Sequence, residues 1–365
     1  MARIVALLLA VVMLSSGGVL LAVAGIPSPG SPVSTRGGDV GAGQLAEARA
    51  SLNLAAAPAH GWKGVTTVQV PPKVSAEVLV YDAADHYVLL FGGRDKWTSV
   101  GGPFLGETWM FANHSWSPVP NVTVAPSARG HAAFAYDATD GYVVVFGGLQ
   151  QGGGPTGGGV LYDTWTYHAG KWTKLTLRVH PSGRYEASMA YDTTSQRVIL
   201  FGGTAGGNET WQFHAGRWSQ LHPAVAPTPR RFAMMTDFPP LKELILFGGC
   251  SAASICSGPY NDTWSFSGGN WTQVFAYPAP HVRMGSAIAY DPLLQGAIVF
   301  GGANSTSLLG DTWLFHTNRW SSVCSNCGPN PRWLAVAATL PGPGSVLMYG
   351  GNTINGFTNQ TWEFT

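Results

Sequence analysis

Five arginines in the 365-residue chain stand three positions after a proline: Pro126/Arg129, Pro181/Arg184, Pro227/Arg230, Pro280/Arg283 and Pro329/Arg332. A guanidinium stays charged and presents five N–H donors in a rigid planar fork. It therefore either clamps an anion or acidic peptide, or ties backbone carbonyls together. Val74 stands at the corresponding place in a further copy of the pattern, and two ionisable side chains, His131 and Glu186, lie two residues beyond Arg129 and Arg184. Two readings stay open: a ligand-binding set of Arg129, Arg184, Arg230, Arg283 and Arg332 with His131 and Glu186, or five structural ties.

Other reactive groups are largely explained by recurrence. Of 19 Asp and Glu residues, five follow a tyrosine or its equivalent at a turn (Asp82, Asp137, Asp192, Asp237, Asp291), and five precede Thr-Trp (Glu107, Asp163, Glu209, Asp262, Asp311). A catalytic group is needed once, so recurrence points to turn and strand roles. Outside the N-terminal segment and the polar turns, Glu77, Asp95, Glu186, Glu243 and Glu363 remain. His168, His214 and His316 precede equivalent hairpins in different units and are expected to lie too far apart to share a metal ion. The chain contains no His-Glu-x-x-His, no Gly-x-Ser-x-Gly and no phosphate-loop lysine. No catalytic residue, metal site or cofactor is expected, and the chain reads as a binding module ahead of an enzyme. The four cysteines form two close pairs, Cys250/Cys256 and Cys324/Cys327. Local disulfides are expected, with a zinc site built from all four as the rival.

The elements that position these groups repeat. An apolar run ends in an aromatic and two glycines at Phe91, Phe146, Phe201, Phe247, Phe300 and Tyr349, with the first glycines 55, 55, 46, 53 and 49 residues apart. Thr-Trp follows each (Trp109, Trp165, Trp211, Trp264, Trp313, Trp362), and a second Trp comes seven residues later in five units (Trp116, Trp172, Trp218, Trp271, Trp320). Turn signals divide each unit into four strands; in the second these are Gly130 to Tyr136, Tyr142 to Phe146, Thr164 to Tyr167 and Trp172 to Leu175. Asp in Tyr-Asp is placed to bond the backbone N–H groups that follow it, and Ala-Gly, Gly-Gly and Thr-Asn pairs suit the positive φ of a short last hairpin. The last unit stops short of its second Trp, while Trp62 precedes Tyr81 by the 19 residues that separate Trp172 from Tyr191. Trp62 to Val65 is therefore expected to pair with Thr361 to Phe364.

This pattern resembles the Kelch repeat over Trp62 to Thr365. The resemblance implies an all-β, six-bladed Kelch-type β-propeller with four antiparallel strands per blade, its ring closed by Trp62–Val65 completing the last blade. It further implies that first strands line an axial channel, so that the arginines, His131 and Glu186 gather at one mouth. The blades are also similar to those of galactose oxidase, but none of that enzyme's copper ligands can be matched here.

A net charge of +1, with 11% charged residues, excludes binding to a nucleic-acid backbone. Residues 1–26 carry an uncharged run, Ile4 to Ile26, that reads as a signal peptide or a single-pass anchor. Residues 27–60, rich in Pro, Gly, Ser and Ala, read as a flexible spacer, and residues 61–365 form the repeat domain. Both N-terminal readings place that domain outside the cytoplasm, secreted or anchored at the cell surface. Seven Asn-x-Ser/Thr sequons, at Asn113, Asn121, Asn208, Asn261, Asn270, Asn304 and Asn359, agree with export and mark glycosylation acceptors. The expected partner is a protein, peptide or glycan bound through the loop face of a monomeric domain. An oxidoreductase of the galactose-oxidase type and a purely structural surface or adhesion component are the alternatives.

Overall fold

The computed structural model describes residues 60–96, 103–151, 159–252, 256, 258–325, 328–341 and 345–365. The expected leader and spacer up to residue 59, and Cys327, lie outside the described residues.

Each sequence unit becomes a four-stranded antiparallel sheet. In the second, Ala133–Asp137, Tyr142–Phe146, Thr164–His168 and Lys171–Leu175 lie in chain order. The second strand of each sheet is an unbroken apolar run because it is covered on both faces; Val143, Val144, Val145 and Phe146 are all fully buried. Between consecutive sheets lies one apolar cluster. Ala133, Ala135, Val144 and Phe146 of the second sheet, for example, meet Met189, Leu200, Trp211 and Trp218 of the third. A cluster of the same kind joins the last sheet to the first, through Leu347 and Tyr349 against Leu79, Leu90 and Trp116. Repeated four-stranded antiparallel sheets packed in this way are consistent with a generic β-propeller or repeat architecture.

The double tryptophan links these sheets by hydrogen bonds as well as by area. The indole N–H of the second Trp donates to the Thr-Trp threonine of the preceding sheet: Trp172 to Thr108, Trp218 to Thr164, Trp271 to Thr210 and Trp320 to Thr263. Trp116 donates to Thr361, and Trp62 to Thr312, in the same way. Trp62–Val65 lies beside Thr361–Phe364, with Trp62 opposite Phe364 and Val65 opposite Thr361.

The expectation of six four-stranded Kelch-type blades closed into a ring is corrected in two respects. The described strands form eight antiparallel sheets, six of four strands, one of three and one of two, and no sheet closes on itself. The two small sheets pair Arg230–Arg231 with Cys250–Ser251, and Arg332–Trp333 with Asn352–Thr353 and Gly356–Phe357. They arise because each first strand is interrupted two residues after the arginine position. There Ala76, His131, Glu186, Phe232, Gly285 and Leu334 all hold φ between 56° and 61°. A left-handed residue ends the extended ladder, so the residues ahead of it pair sideways with the loop after the double glycine. The first strand of the second unit accordingly spans Ala133–Asp137, not Gly130 to Tyr136.

Around the axis runs a cycle of single backbone hydrogen bonds through those six residues. His131 N–H donates to Ala76 O, Glu186 to His131, Phe232 to Glu186, Gly285 to Phe232, Leu334 to Gly285 and Ala76 to Leu334, at 2.7–3.1 Å.

Turn chemistry follows the residue types. Asp82 accepts from the Ala84 and Asp85 N–H groups, and Asp291 from those of Leu293 and Leu294. Ala169-Gly170 and Thr317-Asn318 take positive φ at both hairpin positions. Asp237 departs from the pattern. It faces Leu244, as Tyr136 faces Val143, so it occupies the tyrosine position, and Phe238 takes the place of the turn aspartate. Burial pushes its carboxyl up to about 6, against a hydrogen bond from Thr193.

Cys250 and Cys256 form a disulfide beside the two-stranded sheet, with Cys250 fully buried, which points to an oxidising environment. The expected pairing of Cys324 involves Cys327, outside the described residues.

Candidate functional site

The five Pro-x-x-Arg arginines gather at one end of the sheets, and each guanidinium is buried among protein acceptors. Arg129 donates from Nε to Ser127 O, from Nη1 to Gly147 O, and from Nη1 and Nη2 to the two Asp163 oxygens at 2.7 and 3.0 Å. Arg230 holds Gly248 O and Asp262 in the same way, and Arg283 holds Gly301 O and Asp311. Arg184 uses Gly202 O and Glu209, and Arg332 uses Gly350 O and the neutral Gln360 amide. While the side chain binds its own unit, the main chain binds the preceding one: Gly93 N–H donates to Arg129 O, and Arg129 N–H to Leu105 O.

This is also why glycine is required just before. A Cβ on Gly147 would lie 2.5 Å from the Arg184 carbonyl oxygen. The acidic residues before Thr-Trp are thus half of a tie, accepting from the arginine and from the first indole, as Asp163 does from Trp165. Burial pulls the Asp163 and Asp311 carboxyls upward, but the Arg129 and Arg283 guanidiniums outweigh it and hold them below the usual range.

Arg283→Ala is expected to lower the unfolding free energy by about 2–3 kcal/mol, because it strands a partly buried carboxylate. Arg332→Ala strands no carboxylate, only the Gly350 carbonyl and the Gln360 amide, so about 1 kcal/mol is expected. Urea denaturation of both variants checks the order, and a larger loss at Arg332 would overturn the tie.

His131 and Glu186 belong elsewhere. Both lie on the hydrogen-bonded cycle and line a cavity of about 190 Å³ on the axis, together with Glu77 and Phe232. Their positive φ turns each side chain out of its strand and toward its neighbours. His131 Nδ1 lies 3.7 Å from Glu186 Oε1, and Arg231 Nη1 lies 3.3 Å from Glu186 Oε2. Burial, with the nearby Arg94 and Arg231 charges, pushes the imidazole down to about 3, so His131 is neutral. Burial raises Glu186 to about 8, opposed by Arg231 and Arg94.

Aromatic rings surround this cluster. The His131 ring lies 6.4 Å from Tyr185 and 5.9 Å from Phe232, and Phe232 lies 6.0 Å from Trp333. The Arg231 guanidinium stands 5.6 Å over Phe232, and Arg94 stands 4.6 Å over Phe104. Phe134, Met189, Met235 and Ile288 line the floor of this cavity and also a second one of about 340 Å³ toward the hairpin end.

The mouth therefore combines aromatic faces, guanidiniums, carboxyl groups and a neutral imidazole. That mixture hydrogen-bonds polar ligands and stacks flat ones. Sequence reasoning picked out His131 and Glu186 and missed Arg94, Tyr185, Arg231, Phe232 and Trp333. A signal was present. Aligned on the arginine, the next position reads Gly130, Tyr185, Arg231, Met284 and Trp333, and the one after it varies as widely, between an arginine and a small residue that recur. Among the described residues, no group of three or more His, Cys, Asp or Glu side chains is placed to hold a metal ion.

No family model matches the chain, and no curated protein matches it. The Kelch resemblance therefore rests on the motifs alone, and the repeated-sheet architecture is the relation that stands.

Proposed function

We propose that the chain is an extracytoplasmic binding module that recognises a protein, peptide or glycan at the axial mouth. The carrying observation is a contrast within one ring of equivalent positions. The arginines, Thr-Trp pairs and double glycines repeat and spend their polar groups on one another. The two positions after each arginine diverge into Tyr185, Glu186, Arg231, Phe232, Trp333 and His131. A rigid scaffold carrying divergent residues at one opening is the usual arrangement of a binding face. The five arginines are assigned to the scaffold, and His131 and Glu186 to the site. The buried disulfide supports an oxidising compartment, and residues 1–60 supply export and either release or a tether.

Purified protein probed against glycan and peptide arrays tests this reading. Trp333→Ala should weaken binding of a captured ligand at least tenfold, or about 1.4 kcal/mol, whereas His168→Ala at the opposite hairpin end should not. Ligand capture insensitive to Trp333→Ala but abolished at the hairpin end would sink the proposal.

A further inference from the structure

We infer that the cavity beneath the axial mouth takes a primary ammonium group, with Glu77 as its counter-ion. The inference rests on the binding-site reading above and names the chemistry the site selects.

Comparison of the units isolates the residue. Three positions after each arginine stand Ala132, Ala187, Ala233, Ser286 and Ala335, small side chains between neighbouring strand starts. The unit that begins with Val74 carries Glu77 there instead. Its carboxyl group is 2% exposed and lines the axial cavity. Neither oxygen accepts a hydrogen bond from another described residue; the backbone N–H of Glu77 itself opposes only part of the effect of burial. Scaffold groups behave differently: Ser286 at the same position donates to Gly301 O, and the carboxylates before Thr-Trp accept from arginine and indole.

A buried carboxyl group with open acceptors is destabilising unless a donor reaches it. The charged neighbours within the protein are engaged elsewhere. Arg231 lies on Glu186 and over Phe232, and Arg94 lies over Phe104. His131 is neutral, and Tyr349, whose hydroxyl donates to Pro71 O and Pro72 O, is held protonated by burial. None of these supplies a cation to Glu77.

A primary ammonium brings three N–H donors and the missing positive charge in one small group. Phe232 lines the same cavity as Glu77, and Tyr185 and Trp333 lie against His131 and Phe232. An anion would meet the carboxyl groups of Glu77 and Glu186, and a neutral alcohol would leave Glu77 without its counter-charge. Burial raises the Glu77 carboxyl to about 8. Binding of an ammonium must therefore expel a proton below that pH.

Isothermal titration of the full chain with n-butylammonium, n-butanol and n-butyrate decides the matter. Butylammonium should bind, tightening about tenfold per pH unit up to about pH 8 and levelling above it. Heats measured in two buffers should show close to one proton released at pH 6.5. Glu77→Gln should weaken binding at least tenfold at pH 8 and erase the pH slope. Glu77→Ala, which installs the residue four other units carry, should do the same in a folded protein. Equal binding of butanol or butyrate, butylammonium binding indifferent to both substitutions, or no butylammonium binding at millimolar concentration would each overturn the inference. If array ligands still require Trp333 while butylammonium fails, the ligand class is wrong and the site reading stands. If Trp333 is dispensable but Glu77-dependent amine binding is observed, the reverse holds.

Discussion

Removing Trp62–Val65 should lower the melting temperature far more than removing everything ahead of His60. Trp62 is buried, packs edge-on against Phe300 and Phe364 at 5.4 and 5.2 Å, and donates its indole N–H to Thr312. The strand also supplies the only described partner for the outer edge of Thr361–Phe364. Loss of the tryptophan alone costs about 3–5 kcal/mol, and the freed edge exposes a row of unpaired backbone groups. Differential scanning calorimetry of chains starting at residue 60 and at residue 66 makes the comparison. Equal melting temperatures would show that the last sheet stands without its fourth strand.

Glu77→Gln should make the protein more stable at pH 9 than the parent, by several kcal/mol. The sign follows from linkage. Burial raises the folded-state carboxyl to about 8 from an ordinary 4.5, so the folded chain holds its proton more tightly than the unfolded chain. Stability is therefore full below about pH 4.5 and falls as pH rises, reaching its lowest contribution above about pH 8. A difference of more than three units corresponds to roughly 4 kcal/mol. The amide cannot ionise, so the variant's stability should be flatter between pH 5 and 9, with the remaining fall coming from Glu186, raised to about 8, and from Asp82 and Asp237, each raised to about 6. The paired acids act in the opposite sense. Asp163 and Asp311, held below the ordinary range by their arginines, lose their contribution only as the solution becomes strongly acid. Denaturant titrations at pH 5, 7 and 9 would measure both effects; parallel curves for parent and variant would mean that Glu77 is solvated.

The parts of the molecule visible in the residues are those set by local chemistry. Gly-Gly, Tyr-Asp and the short hairpin pairs each demand a particular backbone shape, and the paired tryptophans announce which strands stack. What escaped is set by conformations that the residue types do not advertise. Ala76, His131, Glu186, Phe232 and Leu334 all adopt positive φ without being glycine, so nothing in their identity marks a break in the strand. That break turns six expected sheets into eight and moves His131 and Glu186 from a strand face to the axial cycle. The Arg129–Asp163 tie spans 34 residues, and its two halves were read separately: the arginine as either a ligand clamp or a tie to backbone carbonyls, the aspartate as a recurrent residue ahead of Thr-Trp. Asp237 was misread by one position because Phe238 and the short 3-10 turn at Pro239–Leu241 replace the usual Tyr-Asp turn.

Gly61 and Thr365 exchange backbone hydrogen bonds at 3.0 and 3.1 Å, so the two termini of the folded part meet at one point on the hairpin end of the last sheet. The mouth lined by Tyr185, Arg231 and Trp333 opens at the other end. His60 and Thr365 therefore stand at the end of the molecule opposite that opening, so a fusion or an immobilising tag joined at either would leave the aromatic face free for an incoming ligand.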